Sequence, residues 1–89
     1  MHAFLYHVFG HVQGVFFRDR TKAKSDELGI TGWVKNCEDG SVEIHAEGSG
    51  DSLTKLEEWC QIGPPAAHVD RVEVSDAKEE GMKNFEIVW

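Results

Sequence analysis

The residues best suited to chemistry lie in one continuous stretch near the N-terminus, where an apolar strand pattern stops and a helical pattern begins. A glycine-bearing loop at the start of a helix favours anion binding, because unpaired N–H groups point outward and the helix dipole attracts negative charge. Gly14 lets the backbone approach a ligand closely, and the planar guanidinium of Arg18 can bind two phosphate oxygens. The candidate anion-binding residues are Gly10, His11, Val12, Gln13, Gly14, Val15, Phe16, Phe17 and Arg18.

Spacing alone leaves a second interpretation of this loop open, in which the two glycines only turn the chain and Arg18 is a surface charge. The Walker-type nucleotide loop is excluded, since no Lys-Ser or Lys-Thr pair follows Gly14. The loop by itself therefore predicts an anion site and not a reaction.

Histidine and cysteine residues are the other candidates for chemistry. No two histidines combine helical i, i+4 spacing with a carboxylate ligand, so we expect no metal site. The two cysteines are too few for a disulfide-built scaffold and form no C-x-x-C pair, which favours reduced thiols over a structural disulfide. These residues are His2, His7, His11, His45, His68, Cys37 and Cys60.

The elements that must position the loop follow from hydrophobic periodicity. Residues 3–9 predict a strand, and a helix is expected from about Arg18 to Leu28, with Gly29 as its stop. The apolar stripe of that helix is thin, so we expect it to pack through small side chains. Residues 30–37 and 41–47 predict two strands joined by a tight Asp-Gly turn.

The second half of the chain predicts one more helix and two more strands. The helix is expected to be capped by Ser49 or Asp51 and to end at the Gly-Pro-Pro sequence of residues 63–65. Residues 69–74 and 85–89 alternate as strands, with a charged, solvated connection at 76–83. The fold class is therefore α+β, a ferredoxin-like βαββαβ sandwich. It has an antiparallel sheet, two helices on one face and a short extra C-terminal strand, in one domain over residues 1–89.

Composition limits the classes of partner. The formal net charge is −7, which argues against general binding to nucleic acid or anionic lipid and requires any anion to be bound locally. An RNA-recognition module shares the element order, but residues 41–47 are acidic and lack the aromatics that function needs. With neither a stretch of ~20 apolar residues nor a signal-peptide pattern, we expect a cytoplasmic monomer that does not bind membranes.

Three motifs in the same order make the chain resemble the acylphosphatase family over nearly its whole length. The first is the stretch from Gly10 to Arg18, and the second is Gly32-Trp33-Val34-Lys35-Asn36 followed by Asp39-Gly40-Ser41-Val42-Glu43. The third is Gly63-Pro64-Pro65-Ala66, with Val69 and Val72 beyond it. Departures from the family pattern are His11 in the loop, Arg20 early in the first helix, and Trp89 at the terminal aromatic position.

The resemblance implies hydrolysis of the carboxyl–phosphate bond of a small acyl phosphate to a carboxylate and inorganic phosphate. It implies that the loop amides and Arg18 bind the phosphate, or a sulfate in its place, and that Asn36 orients the attacking water. Neither a metal nor another cofactor is expected. It leaves two points open: whether the Trp89 carboxylate contacts Arg18, and whether the chain is a non-catalytic anion-binding module of the same fold.

Overall fold

The computed structural model describes residues 1–88. Trp89 lies outside them, and so does the question whether its carboxylate contacts Arg18. Within the described residues no helix is long and apolar enough to cross a membrane. The elements are β1 (His2–His11), α1 (Phe17–Leu28), β2 (Thr31–Asn36), β3 (Val42–Gly48), α2 (Gly50–Cys60), β4 (His68–Asp76) and β5 (Phe85–Val88).

The five strands form one sheet in the order β4-β1-β3-β2-β5. The four strands of the βαββαβ unit pair antiparallel, whereas β5 runs parallel to β2. The expected antiparallel sheet of the βαββαβ unit is confirmed, and the extra C-terminal strand, for which no direction was predicted, makes the whole sheet mixed. The reason is topological, because the chain leaves β4 at one edge and crosses to the opposite edge before β5 begins.

The core lies between one face of the sheet and the two helices. Tyr6 and Val8 are buried on that face of β1. The α2 residues Leu53 and Leu56 pack against the same face, and the Tyr6 hydroxyl donates a hydrogen bond to the carbonyl of Leu53 at 2.9 Å. Burial raises the pKa of the Tyr6 hydroxyl above its ordinary value. The buried hydroxyl and its backbone acceptor thus fix the position of α2 on the sheet.

Helix α1 packs through small side chains, as its sequence predicts. Its buried residues are Phe17, Thr21 and Ser25, and the Thr21 hydroxyl donates to the carbonyl of Phe17 at 2.7 Å. The helix ends at Gly29, which has a φ of 71°, a conformation that costs glycine nothing. Phe17 anchors the first turn by packing against Trp59, with ring centroids 5.4 Å apart. This anchor determines where the preceding loop must enter the helix.

The face of the sheet away from the helices is partly covered by residues 77–84, which join β4 to β5. Glu80 donates its backbone N–H to the buried carboxylate of Glu47 at 2.8 Å, and its own carboxylate accepts from the Trp33 indole at 3.1 Å. The His45 ring stacks on Trp33, and its Nε2 atom lies 2.7 Å from Oε2 of Glu47. The connection was expected to be charged and solvated, and Glu80 is exposed. Its backbone N–H nevertheless supplies one of the donors that the buried carboxylate on β3 requires.

Candidate active site

The loop from Gly10 to Arg18 begins at a point where the backbone of β1 approaches β4 unusually closely. The register of the two strands shifts between Phe9 and Gly10. A Cβ atom at Gly10, whose φ is 134°, would lie 2.2 Å from the carbonyl oxygen of His68. Only glycine fits this position, so Gly10 serves the geometry of the loop entrance.

The central part of the loop has a backbone conformation suited to anions. Gly14 and Phe16 have φ values of 74° and 64°, whereas Val15 between them is not among the residues with positive φ. Alternating signs of φ turn successive N–H groups toward one side and create an anion-binding concavity. Phe16 is the N-cap of α1 and makes no side-chain capping bond, so its side chain satisfies none of the N–H groups at the start of the helix.

Helix α2 provides the contrast. Its N-cap, Ser49, accepts a hydrogen bond from the backbone N–H of Ser52 at 3.2 Å, which confirms one of the two predicted caps. A serine cap satisfies one of the free donors of a helix start. The two helices therefore begin differently, and only α1 begins at the candidate site.

A cleft of about 270 Å³ lies beside this loop. It is lined by Val12, Gly14, Phe16, Phe17, Arg18, Asp19 and Asn36. The structure thus brings Asn36 into the same cleft as Arg18 and part of the loop. Of the other predicted binding residues, Gly10 and His11 belong to β1, Val15 is buried in the core, and the Gln13 side chain points elsewhere.

Asn36 is the last residue of β2 and lies opposite Val42 of β3. Its Oδ1 atom is buried, and no donor among residues 1–88 forms a hydrogen bond with it. An unsatisfied buried acceptor costs roughly 1–3 kcal/mol, so a polar partner such as water is favourable there. This orphaned oxygen beside the loop is the feature of the site that most directly indicates a bound polar group.

The side chain of Gln13 connects the loop to the hairpin that carries Asn36. Its Nε2 donates to the carbonyl of Cys37 at 2.7 Å and to the carbonyl of Ser41 at 2.9 Å. The backbone N–H of Cys37 also donates a hydrogen bond to the carbonyl of Ser41 at 2.8 Å. Gln13 thus binds both ends of the turn directly after Asn36. The sequence predicted Gln13 to be one of the anion-binding loop residues and gave no sign of these acceptors, because a glutamine between two glycines does not indicate a distant partner.

The turn itself is stabilised by side chains that do not line the cleft. The Asp39 carboxylate accepts hydrogen bonds from the Ser41 hydroxyl at 2.5 Å and from the Ser41 backbone N–H at 3.0 Å. These bonds hold the pKa of Asp39 below its ordinary value. The Ser41 hydroxyl also lies 2.6 Å from Nε2 of His7. A hydroxyl that donates to Asp39 must accept from His7, so the histidine carries its proton on Nε2 in this arrangement.

Two groups of side chains within residues 1–88 combine the ligand types that metals use. They are His7 with Cys37 and Asp39, and His45 with Glu47 and Glu80. Neither group lines the cleft. Metal-independent chemistry in the cleft stays a prediction.

One cleft residue was missed altogether by sequence reasoning. Asp19 lies in the first turn of α1 and lines the cleft beside Arg18. In the sequence, Asp19 is marked only by its position next to Arg18. Acidic residues are common in the first turn of a surface helix, because they interact favourably with the helix dipole.

The two cysteines are both free thiols among the described residues. Burial raises the pKa of the Cys60 thiol, with a smaller contribution from Glu57. A buried thiol of this kind is a poor nucleophile.

Fold and cleft together define a class of protein: a ferredoxin-like α+β domain with a glycine-bearing loop and a cleft at the start of its first helix. Comparison with known proteins makes this specific, because the sequence profile of the acylphosphatase family matches residues 4–87. The chain belongs to the acylphosphatase family.

Individual relatives agree with this assignment. The chain is 48% identical over 82 residues to the acylphosphatase of Synechococcus sp. (strain RCC307), covering 92% of this chain and 70% of that protein. The crystal structure of acylphosphatase from Bacillus subtilis has a TM-score of 0.96 at 38% identity, with 100% of both chains covered. An acylphosphatase structure from Coxiella burnetii has a TM-score of 0.94 at 41% identity, covering 98% of this chain and 92% of that one. The family, the α+β fold and the enzyme class predicted from the sequence are confirmed.

Proposed function

We propose that this protein hydrolyses small acyl phosphates in the cleft between the loop and the β2–β3 hairpin. The amides of the loop from Gly10 to Arg18, together with the Arg18 guanidinium, bind the phosphate, and Asn36 orients the attacking water. The single observation that carries the proposal is the presence of Arg18, the start of α1 and the orphaned Asn36 Oδ1 in one cleft.

The phosphate is bound by fixed partial charges and one full charge. Phosphoryl transfer leaves little covalent chemistry to the protein, so catalysis depends on positioning and on stabilising the equatorial oxygens. Preorganised N–H groups and a guanidinium supply that stabilisation without a metal. Because the protein carries a net charge of −7, this attraction acts locally, against the long-range field.

The attacking water is held by a group that cannot act as a base. An amide oxygen accepts a hydrogen bond from water and so aims its lone pair, but it takes no proton at neutral pH. The proton therefore passes to a phosphate oxygen of the substrate. A good leaving group makes this sufficient, since a carboxylate departs without help from a general acid.

The reaction balances as a single displacement at phosphorus. A bond forms between the water oxygen and phosphorus, and the bond from phosphorus to the acyl oxygen breaks, its electron pair leaving with the carboxylate. Both water protons end on the phosphate, so a dianionic acyl phosphate and water give a carboxylate and dihydrogen phosphate. The bulk solvent then adjusts the protonation of the phosphate.

Hydrolysis of benzoyl phosphate or acetyl phosphate by the purified protein, with chelator present, tests the proposal. Turnover in chelator supports it, whereas folded protein without turnover contradicts it and leaves an anion-binding module. Arg18→Lys keeps the charge but loses the planar fork, so most activity is expected to be lost. Arg20→Lys is the matched control, because Arg20 is exposed on the same helix and does not line the cleft.

A second variant separates binding from water orientation. Asn36→Ala is expected to lower kcat much more than it weakens inhibition by inorganic phosphate, because the amide contacts the water and not the phosphate. Equal losses in both quantities would assign Asn36 to anion binding.

We propose further that the protein works as one domain and as a monomer in the cytoplasm. Both thiols are free among the described residues, which suits a reducing compartment. The β4–β1 and β2–β5 pairings bring both ends of the chain into one sheet, in support of a single domain.

A further inference from the structure

Among the lining residues that the structure describes, Asp19 is the one acidic side chain, and the hydrolysis of an acyl phosphate assigns it no role. Asp19 is exposed in the first turn of α1 and lines the cleft together with Arg18 and Phe16. Arg18 is the one basic residue of this described lining. Once Arg18 binds the phosphate, no other cation of the described lining remains for a second anionic group.

The geometry of displacement indicates which end of the substrate meets Asp19. Attack and departure at phosphorus are roughly in line, so the acyl group leaves on the side opposite the water at Asn36. Phe17 is buried and packs against Trp59, whereas Phe16 and Asp19 are exposed side chains of the lining. An acyl group that extends from the phosphate toward solvent can therefore meet Phe16 and Asp19.

We infer that Asp19 sets the substrate class of this site: it disfavours acyl groups that carry a negative charge and favours uncharged or cationic ones. The inference rests on the proposed function, since it concerns the acyl end of the same substrate. A cleft of about 270 Å³ is roughly 8 Å across, which is no more than the Debye length at physiological salt. At low ionic strength, where the Debye length rises to about 30 Å, a charge on the acyl group consequently interacts with Asp19 with little screening.

The size of the effect follows from Coulomb's law. At roughly 8 Å and an effective dielectric constant of about 40 to 80, a pair of unit charges changes kcat/KM by roughly twofold to sixfold. The net charge of −7 favours the same order of substrates as Asp19 does, because it repels an added anion and attracts an added cation. Only the local contribution of Asp19 is removed by a single substitution.

The test compares three benzoyl phosphates of similar shape: the unsubstituted compound, the 3-carboxy compound and the 3-trimethylammonio compound. For each protein, kcat/KM is expressed relative to benzoyl phosphate at low ionic strength. With Asp19→Asn, the relative value for the anionic compound is expected to rise roughly twofold to sixfold and that for the cationic compound to fall by a similar factor. Both differences should vanish near 1 M salt, where the Debye length is about 3 Å.

Asp51→Asn is the matched control, because Asp51 is an exposed acid in the first turn of the other helix and does not line the cleft. It should leave both ratios unchanged. Equal ratios in the parent and in Asp19→Asn, or the same shift with Asp51→Asn, would overturn the inference.

Binding measurements separate this inference from the proposed function. Benzylphosphonate and 3-carboxybenzylphosphonate do not turn over, and their affinities are measured by calorimetry for the same proteins. If none of the acyl phosphates is hydrolysed, the proposed function fails, and the ratio of the two affinities still decides whether Asp19 excludes the anionic group. An unchanged affinity ratio in Asp19→Asn refutes the inference even where turnover is normal.

Discussion

Replacing Gln13 tests whether the loop and Asn36 work as one rigid unit. Gln13→Leu keeps most of the side-chain volume but removes the bonds of 2.7 and 2.9 Å to the carbonyls of Cys37 and Ser41. At about 0.5–1.5 kcal/mol for each hydrogen bond, the free energy of unfolding should fall by about 1–3 kcal/mol. For a domain of this size that corresponds to a Tm lower by about 4–8 °C per kcal/mol.

The effect on catalysis should exceed the effect on stability. The side chain of Gln13 joins the loop to the turn after Asn36 by hydrogen bonds. A misplacement of a catalytic group by about 1 Å can cost on the order of a hundredfold in rate. We therefore expect kcat on benzoyl phosphate to fall at least about tenfold, with a smaller change in phosphate inhibition. Gln13→Glu should be worse in both respects, because it places a carboxylate against two carbonyl oxygens.

The assay pairs urea unfolding with steady-state kinetics, and Gln61→Leu is the control. Gln61 is an exposed glutamine at the C-terminal end of α2, so its replacement should change neither quantity. The reasoning is refuted if Gln13→Leu lowers stability as calculated while kcat stays within about twofold of the parent. The bonds would then stabilise the turn without positioning Asn36.

Four further substitutions test the scaffold. Gly32→Ala would place a Cβ 1.8 Å from the carbonyl oxygen of His45 and should lower the free energy of unfolding by more than about 4 kcal/mol. At Gly40 a Cβ meets nothing within 4 Å, so Gly40→Ala should cost only about 1–2 kcal/mol of left-handed strain. Similar Tm values for the two variants would contradict this. Ser25→Ala should raise Tm, because the Ser25 hydroxyl is buried and has no hydrogen-bond partner among residues 1–88, and a lower Tm would show that the hydroxyl is satisfied. Glu47→Gln should lower stability most at neutral pH: burial raises the pKa of Glu47, but hydrogen bonds led by that from His45 outweigh it and leave the pKa below its ordinary value. The stabilisation is therefore present above the unfolded pKa of about 4.3 and is lost as pH falls through the folded pKa. In urea unfolding from pH 7 to pH 3, the free energies of unfolding of the variant and its parent should therefore converge.

The predictability of the fold differed between its parts for physical reasons. Hydrophobic alternation and turn signals located every element to within a few residues, because they act on the local chain. The parallel pairing of β5 with β2 was not predictable in this way, since it depends on where a connection crosses the sheet. The burial of Glu47 was equally hidden, because its donors come from His45 and from the distant Glu80.

The residues of the candidate site also differed in whether the sequence could predict them. The loop was recognisable as an anion site from Gly14 and Arg18, and the resemblance to a family added Asn36. The amide side chain of Gln13 and the carboxylate of Asp19 carried no signal, because their significance lies in what the hairpin and the cleft place next to them. Local sequence thus predicted the groups that we propose to bind an anion, and tertiary structure supplied those that we propose to position and select.

Phe16 shows how the two levels meet. A large side chain in the left-handed region is costly, on the order of 1–2 kcal/mol relative to the right-handed one, and Phe16 is 71% exposed, so burial contributes little to offset that cost. Strain of this kind persists where the surrounding structure determines the backbone. Here the packed ring of Phe17 fixes one end of the loop, and Gln13 ties the other end to the hairpin. The φ of Phe16 is consequently imposed by its neighbours, and it gives the loop the alternation of backbone conformation that an anion site needs.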